Sequence, residues 1–356
     1  MNKGITEQPT LADGFLLNSL EGGVIDVPFP SSKNSFFSFI DLFAGIGGFR
    51  LAMQSVGGNC VFSSEWDKNA QRTYLTNFGE LPFGDITSLH TKSAIPDQFD
   101  VLCGGFPCQA FSIAGYQKGF EDTRGTLFFD IAEIASNHRP KVLLLENVKN
   151  LRSHDHGRTF EVIQRTLEDI GYKVFHKVLN PMKYANIPQN RERIFIVAFD
   201  PVQVPLFGNF AFPEPEPLTK TIHSCIDNDT VTQDLYYTQW TMSHYDTLKR
   251  EITSKDTIYQ WRRHYVRENK SGVCPTLTAN MGTGGHNVPL ILTDSGIRKL
   301  SPRECLNFQG FPQEFTFPKG MPLSAQYKQA GNSVVVPLVR KICLQIIKVL
   351  FPIPKE

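Results

Sequence analysis

The sequence predicts an α/β fold: a mixed, mostly parallel sheet covered by helices, with a smaller and irregular second domain late in the chain. Three observations predict it. Strand-length apolar runs alternate with helical stretches from residue 36 to about residue 200. Those runs end in glycine-rich or acidic turns, the usual way a parallel strand hands over to a helix. Prolines 201, 205, 213, 215 and 217 then break the pattern, and no strong helical period returns until about residue 300. The length, 356 residues with 41% apolar side chains, allows about two domains and a sizeable core. No stretch approaches the roughly 18 apolar residues of a membrane span. Residues 1–10 lack the apolar centre of a secretion signal. Seven cysteines without paired spacing fit a reducing, cytoplasmic setting. A net charge of +1 excludes a globally basic nucleic-acid coat but permits a local basic cleft.

Residues 1–35 mix Gly, Pro and Ser without a period and read as an arm to which no function is assigned. The run 36–43 ends in Ala44-Gly45-Ile46-Gly47-Gly48 and passes into a helix over 49–56. A second strand, 60–64, ends at Glu65-Trp66, and a third strand-like segment precedes Asp85. A fourth, 99–103, ends at Gly104-Gly105. The stretch 127–136 is helical, 142–145 is a buried strand ending at Glu146-Asn147, and 160–170 is a helix stopped by Gly171. Residues 172–179 and 194–199 are β-like. Ser301-Pro302-Arg303-Glu304 starts a helix over 300–311, and 333–350 is apolar at helical spacing, so it packs back on the first domain. The expected division is an arm (1–35), a catalytic and cofactor-binding domain (36–204), a recognition domain (205–324) and a returning segment (325–356).

The turn Gly45-x-Gly47-Gly48 between strand and helix lets a nucleotide-like ligand approach the backbone. Glu65, twenty positions after Gly45, sits where a carboxylate accepts ribose hydroxyls. Trp66 offers a flat face to an adenine, and Asp85 an acceptor for its amino group. Asp41, Glu65 and Asp85 around one site favour a cationic or uncharged ligand over a phosphate, and S-adenosylmethionine satisfies that. Cys108 follows Pro107 on a polar, glycine-containing loop, so it suits an exposed nucleophile better than a core thiol. Cys103 and Cys108 lack a matching pair for zinc. Glu146 at a strand tip suits a general acid or a partner for a bound base. Arg191 and Arg193, two apart, point the same way if extended. His154-Asp155-His156 has no further ligand to complete a metal site, and no metal is expected.

Five ordered segments, 41–48, 105–109, 146–148, 189–193 and 326–335 (QYKQAGNSVV), together resemble the cytosine-5 DNA methyltransferases of bacterial restriction–modification systems. The resemblance runs from residue 36 to 350 and is weakest over 205–295, the family's target-recognition region. It implies the Rossmann-like fold of S-adenosylmethionine-dependent methyltransferases. It places Phe43, Ala44, Gly45, Ile46, Gly47, Gly48, Glu65, Trp66, Asp85, Ile86, Pro107, Leu127, Asn332 and Val334 around the cofactor. It makes Cys108 the nucleophile, Glu146 the partner of the cytosine ring nitrogen and amino group, and Arg193 the contact to the base carbonyl, with Arg191 supporting it. Gln109, Ser112 and Arg124 fall on the loop that closes over DNA. Thr276-Leu277 opens the base-reading segment. Ala114 departs from relatives that carry Ser there.

The implied chemistry is thiolate addition to carbon 6 of a flipped cytosine, which makes carbon 5 nucleophilic toward the sulfonium methyl. The implied partners are double-stranded DNA and a cognate restriction endonuclease acting on the same site; the enzyme is expected to be a monomer. Residues 255–270 carry +3 with Tyr259, Trp261 and Tyr265 interleaved, so Arg262 and Arg263 suit phosphate positioning. Asn280 to Asn287 suits a polar loop facing base edges. A nicotinamide dehydrogenase shares the Gly45–Glu65 pattern but leaves Cys108, Glu146 and Arg193 unexplained. A tRNA cytosine-5 methyltransferase and a non-catalytic DNA-binding regulator are the remaining alternatives. The absence of a long segment before residue 36 favours a stand-alone prokaryotic-type enzyme.

Overall fold

A computed structural model describes residues 27–32, 34–107, 127–227, 231–283 and 287–352. The apolar runs form a six-stranded sheet from β1 (Phe37–Leu42), β2 (Gly58–Ser64), β3 (Val101–Gly105), β4 (Val142–Val148), β5 (Lys173–Leu179) and β6 (Arg193–Phe199), in the order β2-β1-β3-β4-β6-β5. Strands β1 to β4 are parallel, and β6 runs against both β4 and β5. Helices α1 (Gly48–Gln54), α2 (Lys68–Phe78), α3 (Leu127–His138) and α4 (Arg158–Asp169) connect them. The strands read as continuous apolar runs because both faces are covered. Phe39, Cys103, Leu144 and Val197 enter one core, while Ile40, Leu102, Leu143 and Ile196 enter the other. Parallel strands β1 to β4 therefore end at one edge, where ligands bind in open sheets of this kind.

Helix α2, which the sequence reading did not mark, is well specified locally. The Asp67 side chain caps its first turn by accepting from Asn69 and Ala70 N–H, and Gly79 ends it at φ 74°. The strand-like segment before Asp85 is only a single bridge between Ser64 and Phe83. The turn Gly104-Gly105 thus closes the third strand, not the fourth. Part of the arm is fixed: Phe29 packs on Phe78 and Phe315, and Ser31 Oγ accepts from buried Arg50 at 2.9 Å.

The late region contains more regular structure than expected. Helix α5 (Tyr245–Glu251) backs an antiparallel sheet of β7 (Tyr259–Arg262), β8 (Tyr265–Glu268), β9 (Leu290–Thr293) and β10 (Gly296–Lys299), in the order β10-β9-β7-β8. Tyr259, Leu290 and Ile297 face a small core with Leu248 and Ile252. Ile258 and Ile291, on the opposite face by strand alternation, join the main core. Short strands with few apolar residues explain why no period was legible. The proline-rich stretch is packed, since Phe210 stacks against Phe175 and Phe199. Helices α6 (Pro302–Phe308), α7 (Leu323–Asn332) and α8 (Val336–Leu350) follow. Phe308, Phe311 and Phe315 enter the main core. Helix α8 returns to α1, bringing Cys343 to Met53.

Candidate active site

One cavity of about 760 Å³ opens at the sheet edge where β1 to β4 end. The turn after β1 forms one wall. Phe43 and Gly45 both take φ 55°, a left-handed conformation that is unusual for Phe and marks a backbone shaped for contact. Gly48 has no room for a side chain: a Cβ there would lie 2.7 Å from a methyl carbon of Val334. Phe43, Ala44, Gly45, Ile46, Gly48, Glu65, Trp66, Asp85, Ile86, Pro107, Leu127, Asn332 and Val334 all line this cavity. Gly47 is the exception among the residues assigned to the cofactor. A Cβ on it would fall 2.2 Å from the Phe78 ring, so its role is close packing of the turn onto α2.

The electrostatics are more selective than expected. Glu65 is buried, and its two oxygens accept from Gly45 N–H and Asp67 N–H at 2.8 Å each. Burial raises its carboxyl above the usual range, and those bonds pull it back. Asp85 is exposed at the rim, with one oxygen accepting from Thr87 N–H. Asp41 does not join them. It is fully buried beneath the turn and does not line the cavity; burial pushes its carboxyl up to about 8, so it is neutral at pH 7. The acidic side chains lining the cavity are Glu65, Asp67, Asp85 and Glu146, with Asp67 paired to Lys328 and Glu146 to Arg193. Lys328 on α7 donates to Asp67 at 2.7 Å across the mouth, and Trp66 stands 74% exposed beside that contact.

The other end of the cavity holds the paired groups after β4 and before β6. These strands are antiparallel neighbours with Val148 opposite Arg193, which explains why residues 47 positions apart converge. Arg193 Nε lies 3.0 Å from Glu146 Oε1. Burial pushes the Glu146 carboxyl up, while Arg193 and Arg191 pull it down. Arg191 is buried at 3% exposure, and its guanidinium donates to three backbone carbonyls, so it holds chain segments and makes no hydrogen bond to Glu146. Burial and the neighbouring Arg193 lower it to about 9.

Cys108, Gln109, Ser112 and Arg124, with Ala114, lie outside the described residues. Pro107, next to Cys108, is exposed on the cavity wall. Arg262 and Arg263 are exposed at the β7–β8 turn, where Arg263 takes φ 51°. Thr276 donates to Asn190 O at 2.6 Å. Leu277 is 1% exposed in the core, so its side chain cannot meet DNA; its carbonyl accepts from Arg191 instead. Thr278, Ala279 and Asn280, the next residues, do line the cavity. Sequence reasoning named Asn280 but not Thr278 or Ala279, and it missed the Asp67–Lys328 pairing, which depends on the fold. In the His154-Asp155-His156 turn, His154 pairs with Thr159 and Asp155 with Arg158. Among the described residues no cluster of His, Cys, Asp or Glu suits a metal.

The comparisons with known proteins agree with this geometry. A family model described as C-5 cytosine-specific DNA methylase matches residues 37–348. The chain is 53% identical over 311 residues to the Type II methyltransferase M.Bsp6I of Bacillus sp. (strain RFL6), covering 86% of this chain and 97% of that relative. It is 44% identical to M.HhaI of Haemophilus parahaemolyticus, covering 86% and 93%. Among solved structures it is similar to the S. pombe Dnmt2 methyltransferase, with TM-score 0.66 at 18% identity, covering 89% and 99% of the two chains. A putative DNA modification methyltransferase encoded within an E. coli prophage gives TM-score 0.61 at 19% identity, covering 88% and 99%.

Proposed function

The chain belongs to the C-5 cytosine-specific DNA methylase family, and from that premise we propose how its residues divide the reaction. It is a DNA cytosine-5 methyltransferase whose methyl donor is S-adenosylmethionine. The residues present fit that donor. The glycine turn admits a ligand backbone-close, Glu65 and Asp85 face the cavity with negative charge, and Lys328 is already paired with Asp67. The cofactor supplies a methyl group on a sulfonium cation. Glu65 is the acceptor for ribose hydroxyls, Trp66 and Ile86 sandwich the base, and Asp85 takes its amino group.

Cys108 is the nucleophile. Its thiolate adds to carbon 6 of a cytosine flipped into the cavity, and that addition places electron density on carbon 5. Glu146, with its carboxyl raised by burial, holds a proton toward the ring nitrogen and accepts from the amino group. Arg193, fixed by Glu146, faces the base carbonyl and stabilises the charge that develops on the ring. Once carbon 5 carries the methyl group, a base takes the carbon-5 proton, the freed electron pair re-forms the ring double bond, and Cys108 leaves as thiolate. The observation that carries this reading is the Glu146–Arg193 pair, which opens into the same cavity as Gly45, Glu65 and Asn332. A partner restriction endonuclease reading the same DNA site is proposed on the Type II names of the relatives. Among the described residues no helix is long and apolar enough to cross a membrane.

The test is a denaturing gel of the protein with duplex DNA carrying 5-fluorocytosine at the target. Fluorine cannot leave as a cation, so a slower band is expected with S-adenosylmethionine and is expected to vanish in Cys108→Ala. That variant is also expected to retain less than about one percent of wild-type methyl transfer, with cofactor binding within a few fold. Methylation of ordinary cytosine without a denaturant-resistant band removes the covalent step.

A further inference from the structure

We propose that Arg191 is a positioning residue that couples occupancy of the cofactor end of the cavity to the setting of the recognition segment that starts at Leu277. The proposal rests on the methyltransferase reading above and assigns Arg191 a task beyond supporting Arg193. Its guanidinium Nη1 donates to Leu277 O at 2.6 Å, and Nη2 donates to Ser333 O at 2.7 Å and Gly331 O at 3.1 Å. The first carbonyl leads into Thr278–Asn280, which line the cavity and open the recognition loop. The other two flank Asn332 and precede Val334, at the cofactor end. One buried cation thus ties together the two chain segments that meet the two ligands.

Four further contacts make this tie a unit. Gln189, two residues earlier, accepts from Leu277 N–H at 3.3 Å through Oε1, so both sides of Leu277 are held from one extended stretch. The same Gln189 donates to Phe308 O at 2.7 Å. Gly331 is pressed against the Thr278 peptide so closely that a Cβ would lie 2.2 Å from its carbonyl carbon, and a Cβ on Gly282 would lie 2.4 Å from Ser324 O. Close backbone packing of this kind transmits a shift because it has no slack for a side chain to absorb. A ligand that orders residues 331–334 therefore reduces what DNA must spend to order residues 277–282, and the reverse holds by linkage.

The test measures DNA affinity with and without S-adenosylhomocysteine, using a duplex that contains the site found by bisulfite sequencing of wild-type-methylated plasmid. Wild type is expected to bind that duplex roughly tenfold tighter with S-adenosylhomocysteine, and calorimetry is expected to show the same factor for S-adenosylhomocysteine with and without DNA. Arg191→Lys keeps the cation but not the three-way fork, and it is expected to lower the factor below about threefold. Gly331→Ala keeps the Arg191 side chain but forces apart the two segments it bridges, and is expected to do the same. Unfolding midpoints identify the folded variants. A wild-type factor of one overturns the proposal, and so does a folded variant at either position that keeps the full factor. A wild type that methylates cytosine while the factor survives substitution defeats the coupling alone. A wild type that neither binds S-adenosylhomocysteine nor methylates DNA defeats the functional reading beneath it.

Discussion

The two sheets of this protein are held in place by different physics. The six-stranded sheet is covered on both faces, and the side chains of Val101, Leu102 and Val142 to Leu145 are fully buried. Exclusion of water from both sides positions it. The four-stranded sheet has a small core of five buried side chains on one face, while Ile258 and Ile291 on its other face join the main core. A buried ion pair adds a directional tie to that packing. Arg298 on β10 forks to both Glu304 oxygens at 2.7 Å, with both side chains at 0% exposure. Glu304 also accepts from Ser301 N–H and Asp227 N–H, closing the capping box of α6. Hydrophobic burial resists displacement but does not choose an angle, whereas a bidentate pair does.

The largest expected effect breaks that pair. Arg298→Met leaves a buried carboxylate without its cation, which costs about 3–5 kcal/mol. Urea denaturation is expected to show this loss, and Arg298→Met with Glu304→Leu is expected to recover much of it, since both charges are then gone. In the single variant, DNA affinity is expected to fall further than cofactor affinity; equal losses would mean that the ion pair serves general stability only.

A smaller effect is expected at the cofactor end. Glu65→Gln removes a charged acceptor while keeping its shape, and calorimetry is expected to show cofactor binding weakened by about 1–3 kcal/mol. DNA binding in the absence of cofactor is expected to be unchanged. An unchanged cofactor constant would leave Glu65 as a brace for Gly45 and Asp67 alone.

At the recognition end, Arg262 and Arg267 both donate to Gln260, which gathers two cations on one face of the hairpin. That face is the one Ile258 turns toward the main core. Arg262→Ala and Arg267→Ala are each expected to reduce the slope of log affinity against log salt by about one, with cofactor binding untouched. No change in slope at either position would take phosphate contact away from this hairpin.

A further effect concerns pH and the first strand, and it is read as a slope. Asp41 titrates near 8 in the folded chain against 3.8 in the unfolded one. Between these values the folded state holds the extra proton, so this residue's contribution makes stability fall as pH rises. Asp41→Asn mimics the protonated form, so stability below about pH 4 is expected to change little and the decline from there toward pH 8 to flatten. Unfolding midpoints across that range measure it, and an unaltered decline would assign the slope to other groups.

Much of the site was legible because its residues sit at strand ends. Ala44-Gly45-Ile46-Gly47-Gly48, Glu65-Trp66, Pro107 and Glu146 each follow an apolar run, and parallel strands bring such ends to one edge. Gly47 does not line the cavity, and a glycine required by packing reads the same as one required by a ligand. Its reason is the Phe78 ring, on a helix whose approach depends on the fold. Asp41 was misassigned for a related reason: a carboxylate counts as a charge in a sequence, and only its surroundings decide whether it keeps that charge.

The alternation of apolar runs and turns was enough to determine the layered α/β body, the edge at which chemistry gathers and most of the residues lining the cavity. Those are local properties, because strand and helix periods repeat over a few residues. Tertiary structure alone decided which polar groups became partners. Arg191 meets carbonyls 86, 140 and 142 positions away, Lys328 meets Asp67 across 261, and Arg298 meets a glutamate on a helix of the other body. Such pairings carry no period. They arise because a buried donor must find an acceptor wherever the packed chain places one, and the cost of leaving it without one is paid only after the core has closed.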